Sequence, residues 1–449
     1  MGNLVPKLHP LTFIVVNRRI SLFKTMTCFK SLAPKSKSKS KSTNLLAWIS
    51  IMMLAISCTV ASAQTPTAKP PAPVLRPELI KSLQASQDAL KAGQLDQAFE
   101  LAQQAMAIPN ISKDEKPVVL RILLASALQA KKFDVAISSL ETLIQDLSEN
   151  NDQKMSYIET LLSASQQAKE LDKFVKWARI YLDMGGRNPS VRPVYFQTLS
   201  VLNRHEEAVK EVQLKMKLDE AAKVITPENE IRLMAFSQRV LKDDAAYYAT
   251  LKLLLQTYPK KAYWAEVIPR LARQATFNAR FDLDLYRLLE QTGNIEDTNE
   301  YADMANLSLN LGLPAEAARV VEAAYSAGIF GKGSDAANHQ KLRQQIQQKL
   351  NEDEKVLPAL EKSAKDANSI ASLADVYASK QKWDLAVASY TKAFEIGALR
   401  REAETRLHAG IALSKAGKKA EAEKMWDSVK GDPTAVELAQ LWKLWQKAN

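Results

Sequence analysis

From Glu78 to the C-terminus, apolar residues recur at three- and four-residue spacing, and no stretch of any length alternates apolar and polar positions. A period near 3.6 places apolar side chains on one face of a helix, whereas a strand needs a period of two. The chain is therefore predicted to be all-α from residue 78 onward. Scarce Gly and abundant Ala, Leu, Gln, Lys and Glu agree with that prediction.

The helical pattern also repeats. The stretches "ALKAGQLDQAFELAQQAM", "NLGLPAEAARVVEAAY", "ASKQKWDLAVASYTKAF" and "LSKAGKKAEAEKMWDSV" each read as a helix end, a short turn and a second helix with a small residue early in it. The small anchors are Ala98, Ala317, Ala386 and Ala422. Ala136 and Ala208 fit the same frame, and Phe174 and Tyr247 fit it loosely. Nine steps from Ala98 to Ala422 give a period of about 36 residues, close to a 34-residue helical hairpin repeat. A small residue lets the second helix approach the first, while Tyr377, Trp383, Tyr390 and Trp426 fill the space between hairpins. Each hairpin has too much apolar surface to stand alone, so stacking must bury it.

The sequence thus resembles the tetratricopeptide repeat (TPR) family over most of residues 78–449. The resemblance implies a right-handed α-solenoid of about nine to ten helix pairs. Residues 298–331, 367–400 and 403–433 match best. Residues 275–290 and 335–365 depart from the pattern and are expected to hold helix pairs of altered length.

The N-terminus is different. "PKSKSKSKS" precedes an apolar run from Leu45 to Val60 that ends in "ASA". A membrane-spanning helix needs roughly 20 apolar residues, and this run is shorter. A basic segment, an apolar core and small residues at a cleavage point describe a secretory signal. Cleavage near Ala63 is expected, making residues 1–63 a leader with a long basic region, and Met26 is an alternative start. Two other readings are an uncleaved tether through residues 45–60 and lipidation of Cys58. Residues 64–77 contain five Pro and are read as an extended linker.

The leader changes the meaning of the formal charge of +11. Nine Lys and Arg and no acid lie in residues 1–63, which leaves 52 basic against 50 acidic residues beyond them. A nucleic-acid binder carries its basic surplus on the folded domain, so no nucleic-acid partner is expected. Both Cys, at 28 and 58, also precede the cleavage point, so no disulfide, thiolate nucleophile or Cys-ligated metal is expected beyond it.

Candidate chemistry is sparse. His205, His339 and His408 fall in different repeats with no second His at i+4, against a zinc site. "GIFGKGSD" (328–335) lacks the ending of a phosphate loop and follows a helix rather than a strand. "NEDEK" (351–355) lacks the alternating ligands and Gly of a calcium loop and reads as a solvated helix start. No cofactor and no catalytic residue is expected. Trp442 and Trp445 lie three apart on the last helix, either as part of a terminal cap or as an exposed patch that docks a partner.

The TPR resemblance implies a non-catalytic scaffold that binds proteins on the face formed by first helices. Asn299, Asn306, Asn368 and Asp375 are the partner-binding candidates there. Asn306 sits where an Asn of a chaperone-tail clamp would, but the neighbouring first helices lack the matching basic residues. The series "YPKKAYW", "LYRLLEQTG", "YADMANLSLNLGLPAEAARVVEAAYSAGIF" and "GIALSKAGKKAEAEKMWDSVKGDPTAVELAQLW" also resembles periplasmic TPR proteins of Gram-negative bacteria that accompany TonB–ExbB–ExbD systems. That implies a periplasmic adaptor for energised outer-membrane transport. Adaptors for polysaccharide export or outer-membrane assembly, and a cell-wall-turnover protein, are the alternatives.

Overall fold

The computed structural model describes residues 75–147 and 152–449. The leader, its cleavage point, Cys58 and residues 64–74 of the linker lie outside the described residues. Twenty α-helices and one 3₁₀ turn are described, with no strand among the described residues. The helices form an α-solenoid of TPR-like hairpins, gathered into two compact units that divide between Lys242 and Asp243. The sequence reading anticipates one continuous array and does not foresee that division.

The N-terminal unit contains α1 (Pro77–Lys91), α2 (Leu95–Met106), α3 (Lys116–Gln129), α4 (Phe133–Gln145), α5 (Asp152–Ala168), α6 (Leu171–Asp183), α7 (Val191–Val201), α8 (His205–Ala221) and α9 (Glu228–Val240). Its core is aliphatic and aromatic, with Ala98, Ala136 and Ala208 at zero exposure. Ser86 Oγ donates to Ala98 O at 2.7 Å, so the one polar group at that contact is satisfied.

The C-terminal unit contains α10 (Asp244–Thr257), α11 (Lys261–Ala272), α12 (Asp282–Gln291), α13 (Thr298–Asn310), α14 (Pro314–Ser326), α15 (Ala336–Ser363), α16 (Ala367–Ser379), α17 (Trp383–Ile396), α18 (Glu402–Lys415), α19 (Lys419–Asp427) and α20 (Pro433–Ala448). Ala317, Ala386 and Ala422 are again fully buried, as are Tyr390 and Trp426, while Trp383 is only half-buried. Gly410 lets Trp426 approach α18. A Cβ there would collide with the indole, whose Nε1 donates to Leu407 O at 3.2 Å.

The turns within hairpins share one device. A residue in the left-handed region ends the first helix, and two backbone bonds close the turn. At Gln381 (φ 57°), Gln381 N donates to Ala378 O at 2.9 Å and Lys382 N to Tyr377 O at 2.9 Å. Gly93, Gly312 and Gly417 fill this position in three hairpins, but Lys131, Lys169 and Asn203 adopt the same backbone.

Two expectations are corrected. Residues 335–365 hold one 28-residue helix, α15, rather than a pair. It buries only His339 and Ile346, so most of its length faces solvent and needs no partner helix. "NEDEK" lies inside α15 rather than at a helix start, because the helix runs unbroken from Ala336 to Ser363.

Candidate functional site

The interior of the C-terminal unit is charged. His408 projects from α18 between two carboxylates. Its Nδ1 lies 2.8 Å from Asp375 Oδ1 on α16, and its Nε2 lies 3.1 Å from Asp284 Oδ1 on α12, off-line for a hydrogen bond. Tyr390 from α17 donates its hydroxyl to Asp375 Oδ1 at 2.6 Å. Arg287 donates to Asp284 at 2.9 Å and forms a two-pronged pair with Glu316 of α14 at 2.9 and 2.6 Å. Arg319 pairs with Glu290 in the same manner. Four helices are thus joined by ionic contacts.

Burial alone would strip the proton from His408, but Asp284 and then Asp375 outweigh it and hold the imidazole charged well above its ordinary value. Burial likewise opposes the Asp284 charge, yet His408 and then Arg287 hold that carboxyl down to about 2. Burial pushes the Tyr390 hydroxyl up, and Asp375 pushes it further. An imidazolium with a carboxylate at each nitrogen has no lone pair to offer as a base. The cluster therefore locks helices together rather than transferring protons. Among the described residues, no group of three or more His, Cys, Asp or Glu is arranged to hold a metal ion.

A cavity of about 280 Å³ opens beside this network among α12, α14, α16, α17, α18 and α20. Trp442 forms part of its wall. That residue is 1 % exposed, stacked on Trp426 at 6.3 Å and edge-on to Trp445 at 5.4 Å. Trp445 is half-buried, and its Nε1 donates to Gln291 O at 3.1 Å. The reading of these two residues as an exposed docking patch is corrected. Helix α20 turns back onto α10, α12 and α18, and both rings face inward. Tyr248 and Lys252 on α10 reach Glu437 at 2.9 and 2.8 Å, and Asn278 N donates to Thr434 Oγ1 at 2.8 Å.

The other candidates are scattered. Asn299 and Asn306 lie exposed on α13. Asn368 receives Arg400 N at 2.9 Å and ties down the loop after α17. Asp375 belongs to the charged cluster. Sequence reasoning missed Asp284, Arg287, Glu316 and His408 as a group. They come from three helices, and only helical periodicity combined with the correct stacking order would have placed them together.

The N-terminal unit offers a different surface. Val201, Leu214, Leu218, Val224, Ile225, Phe236, Val240 and Leu241 are all exposed, with Ile225 at 68 % and Leu218 at 51 %. They make up eight of the thirteen exposed large apolar residues among those described, and all sit on α7–α9, in the loop joining α8 to α9 or just after α9. Leu214 and Leu218 are one turn apart on α8, as are Phe236 and Val240 on α9. No helix among the described residues is long and apolar enough to cross a membrane.

No family model and no curated protein matches this chain. Solved structures do. A tetratricopeptide repeat protein from Parabacteroides merdae is 12 % identical, with 75 % of this chain and 98 % of that one covered and a TM-score of 0.27. The TPR2AB domain of yeast Sti1, in complex with an HSP90 peptide, is 14 % identical over 83 % of this chain and 98 % of its own, with a TM-score of 0.21. Yeast Tom70 is 10 % identical over 82 % and 96 %, with a TM-score of 0.23. Tetratricopeptide repeat proteins are thus among the solved structures this chain is similar to.

Proposed function

We propose that this chain is a non-catalytic scaffold of the Gram-negative cell envelope, exported to the periplasm, that binds a protein partner through α7–α9. The observation that carries this reading is the concentration of exposed apolar side chains on those helices. Monomeric surfaces scatter such residues, and a cluster of them marks a protein interface. The partner class follows from the sequence resemblance: a component of a TonB–ExbB–ExbD system, which this adaptor would help to energise outer-membrane transport.

The test is cross-linking of the tagged full chain in its native envelope, with Leu218→Glu/Ile225→Glu beside the wild type. TonB, ExbB or ExbD should be recovered with the wild type and reduced at least about tenfold in the double variant, since buried apolar anchors carry most interface energy. Thermal unfolding of the variant should match the wild type within about 0.5 kcal/mol, because both sites are exposed. A polysaccharide-export or outer-membrane-assembly machine in place of TonB keeps the scaffold and discards the TonB assignment. No reproducible partner removes the scaffold reading itself.

A further inference from the structure

Helix α8 carries its exposed apolar residues in a line. Leu214 and Leu218 are 48 % and 51 % exposed, and Ala221 is exposed beside them. At 100° per residue these three fall within about 60° of arc, and Lys210 and Lys217 lie along one edge of the same stripe. The stripe runs for three turns, about 17 Å. The loop that follows α8 adds Val224 and Ile225 at its end. Thr226 Oγ1 donates to Asp219 Oδ2 at 2.9 Å and Val224 N donates to Asp219 O at 2.8 Å, so Ile225 is held with 68 % of its surface exposed. A side chain fixed in the open offers a partner a preformed surface.

The charge along this stripe has one sign. Asp219 pairs with Lys215 and Glu211 with Arg179. Glu207 attracts Lys210, but its two oxygens are taken by Arg204 at 2.7 and 2.6 Å. Lys210 and Lys217 are exposed and form no ion pair among the described residues, and neither does Lys223 at the end of the helix. The exposed acids of α8, Glu206 and Glu220, sit about 80° and 120° round the helix from Leu214 and so lie off the stripe. A second copy of this face would set Lys against Lys, which disfavours self-pairing. An anionic membrane would meet Glu206 and Glu220 as like charges beside the stripe.

We propose that this stripe docks one amphipathic α-helix of a partner protein, apolar on one face and acidic along one edge. Its apolar side chains would seat on Leu214, Leu218 and Ile225, and its Asp or Glu would pair with Lys210 and Lys217. Apolar positions at helical steps on α8 match apolar positions at helical steps on a partner, as in helix-on-helix recognition. Helix α8 is the second helix of its hairpin, so the stripe is distinct from the face formed by first helices. The inference rests on the reading of α7–α9 as a docking surface and adds the shape and charge of what docks there.

The experiment places the photo-cross-linking residue benzoylphenylalanine at position 214 of the full chain in its native envelope. Position 80, a half-exposed apolar site on α1, is the control. Mass spectrometry maps the peptide joined to each position. Position 214 should capture a protein segment with apolar residues at i, i+3, i+4 and i+7 and Asp or Glu beside them, and position 80 should not. The yield should fall at least about tenfold in Lys210→Glu/Lys217→Glu, because like charges then face each other across the contact. Changing the acids of the captured segment to Lys should restore the yield in that variant, which loss of folding could not do. An adduct to lipid, to a second copy of this chain or to a segment without acidic residues overturns the proposal, as does a yield unchanged by the Lys substitutions. No adduct at position 214, while the tagged chain still cross-links to a partner through other residues, overturns this face and leaves the scaffold reading standing. No partner by either route removes both.

Discussion

In residues 75–242, Glu230 is 4 % exposed with one oxygen lacking a hydrogen-bond partner. In residues 243–449, the same kind of hairpin surrounds His408, Asp284, Asp375, Arg287 and Glu316, each facing an opposite charge. Burial acts on both sets of acids, with opposite outcomes. It pushes the Glu230 carboxyl up, whereas cationic neighbours hold Asp284 down to about 2. Neighbours rather than depth therefore decide whether a buried acid stays charged.

Removing the centre of the charged interior is the most severe way to break this comparison. His408→Ala leaves Asp284 and Asp375 short of a cation and should cost the C-terminal unit about 3–5 kcal/mol. Hydrogen exchange should show α12, α16 and α18 opening more readily while α1–α6 keep their protection. Equal loss in both units would mean that the cluster is not specific to its own unit.

Acid should separate Glu230 from Asp284 next. Glu230 holds its proton more tightly folded than unfolded. Its contribution therefore improves as pH falls from above its raised folded value toward the ordinary value of 4.5. Asp284 has a depressed folded value, so its contribution is present above 3.8 and lost as pH falls toward about 2. His408 adds stability throughout this range and loses it only as pH rises through its elevated folded value. Glu230→Gln should raise the stability of the N-terminal unit at neutral pH by about 1 kcal/mol, as expected when a buried charge without a full complement of partners is neutralised. Chemical denaturation at pH 7 and pH 5 would show it, and a loss at both would refute the contrast.

The smallest effects test what the units share. Lys131 (φ 58°) occupies a turn position where Gly417 (φ 80°) serves the other unit. Lys131→Gly should gain, and Gly417→Ala should lose, up to about 1 kcal/mol in thermal unfolding, because only Gly adopts this backbone without a steric cost.

The fold was legible because helical periodicity and six recurrent Ala anchors are local signals. The 28-residue α15 was not. Its mostly polar sequence has no strong apolar face, so periodicity could not distinguish one long helix from a broken pair. The candidate site was barely legible. Asp375 reads from sequence as a partner-binding candidate, but the groups it contacts lie on other helices. Trp442 and Trp445, three apart on α20, read from sequence either as part of a cap or as an exposed patch. Nothing in their spacing shows that α20 turns inward and covers them itself.

That return of α20 has a mechanical meaning. An open array of hairpins lengthens like a spring when its ends are pulled apart. In residues 243–449 the first helix, α10, and the last, α20, lie side by side and are clasped by Tyr248, Lys252 and Glu437. The first and last helices of this unit are therefore tied to each other across the array. Under tension the unit would stay short until that clasp opened, and would then release its length in one step.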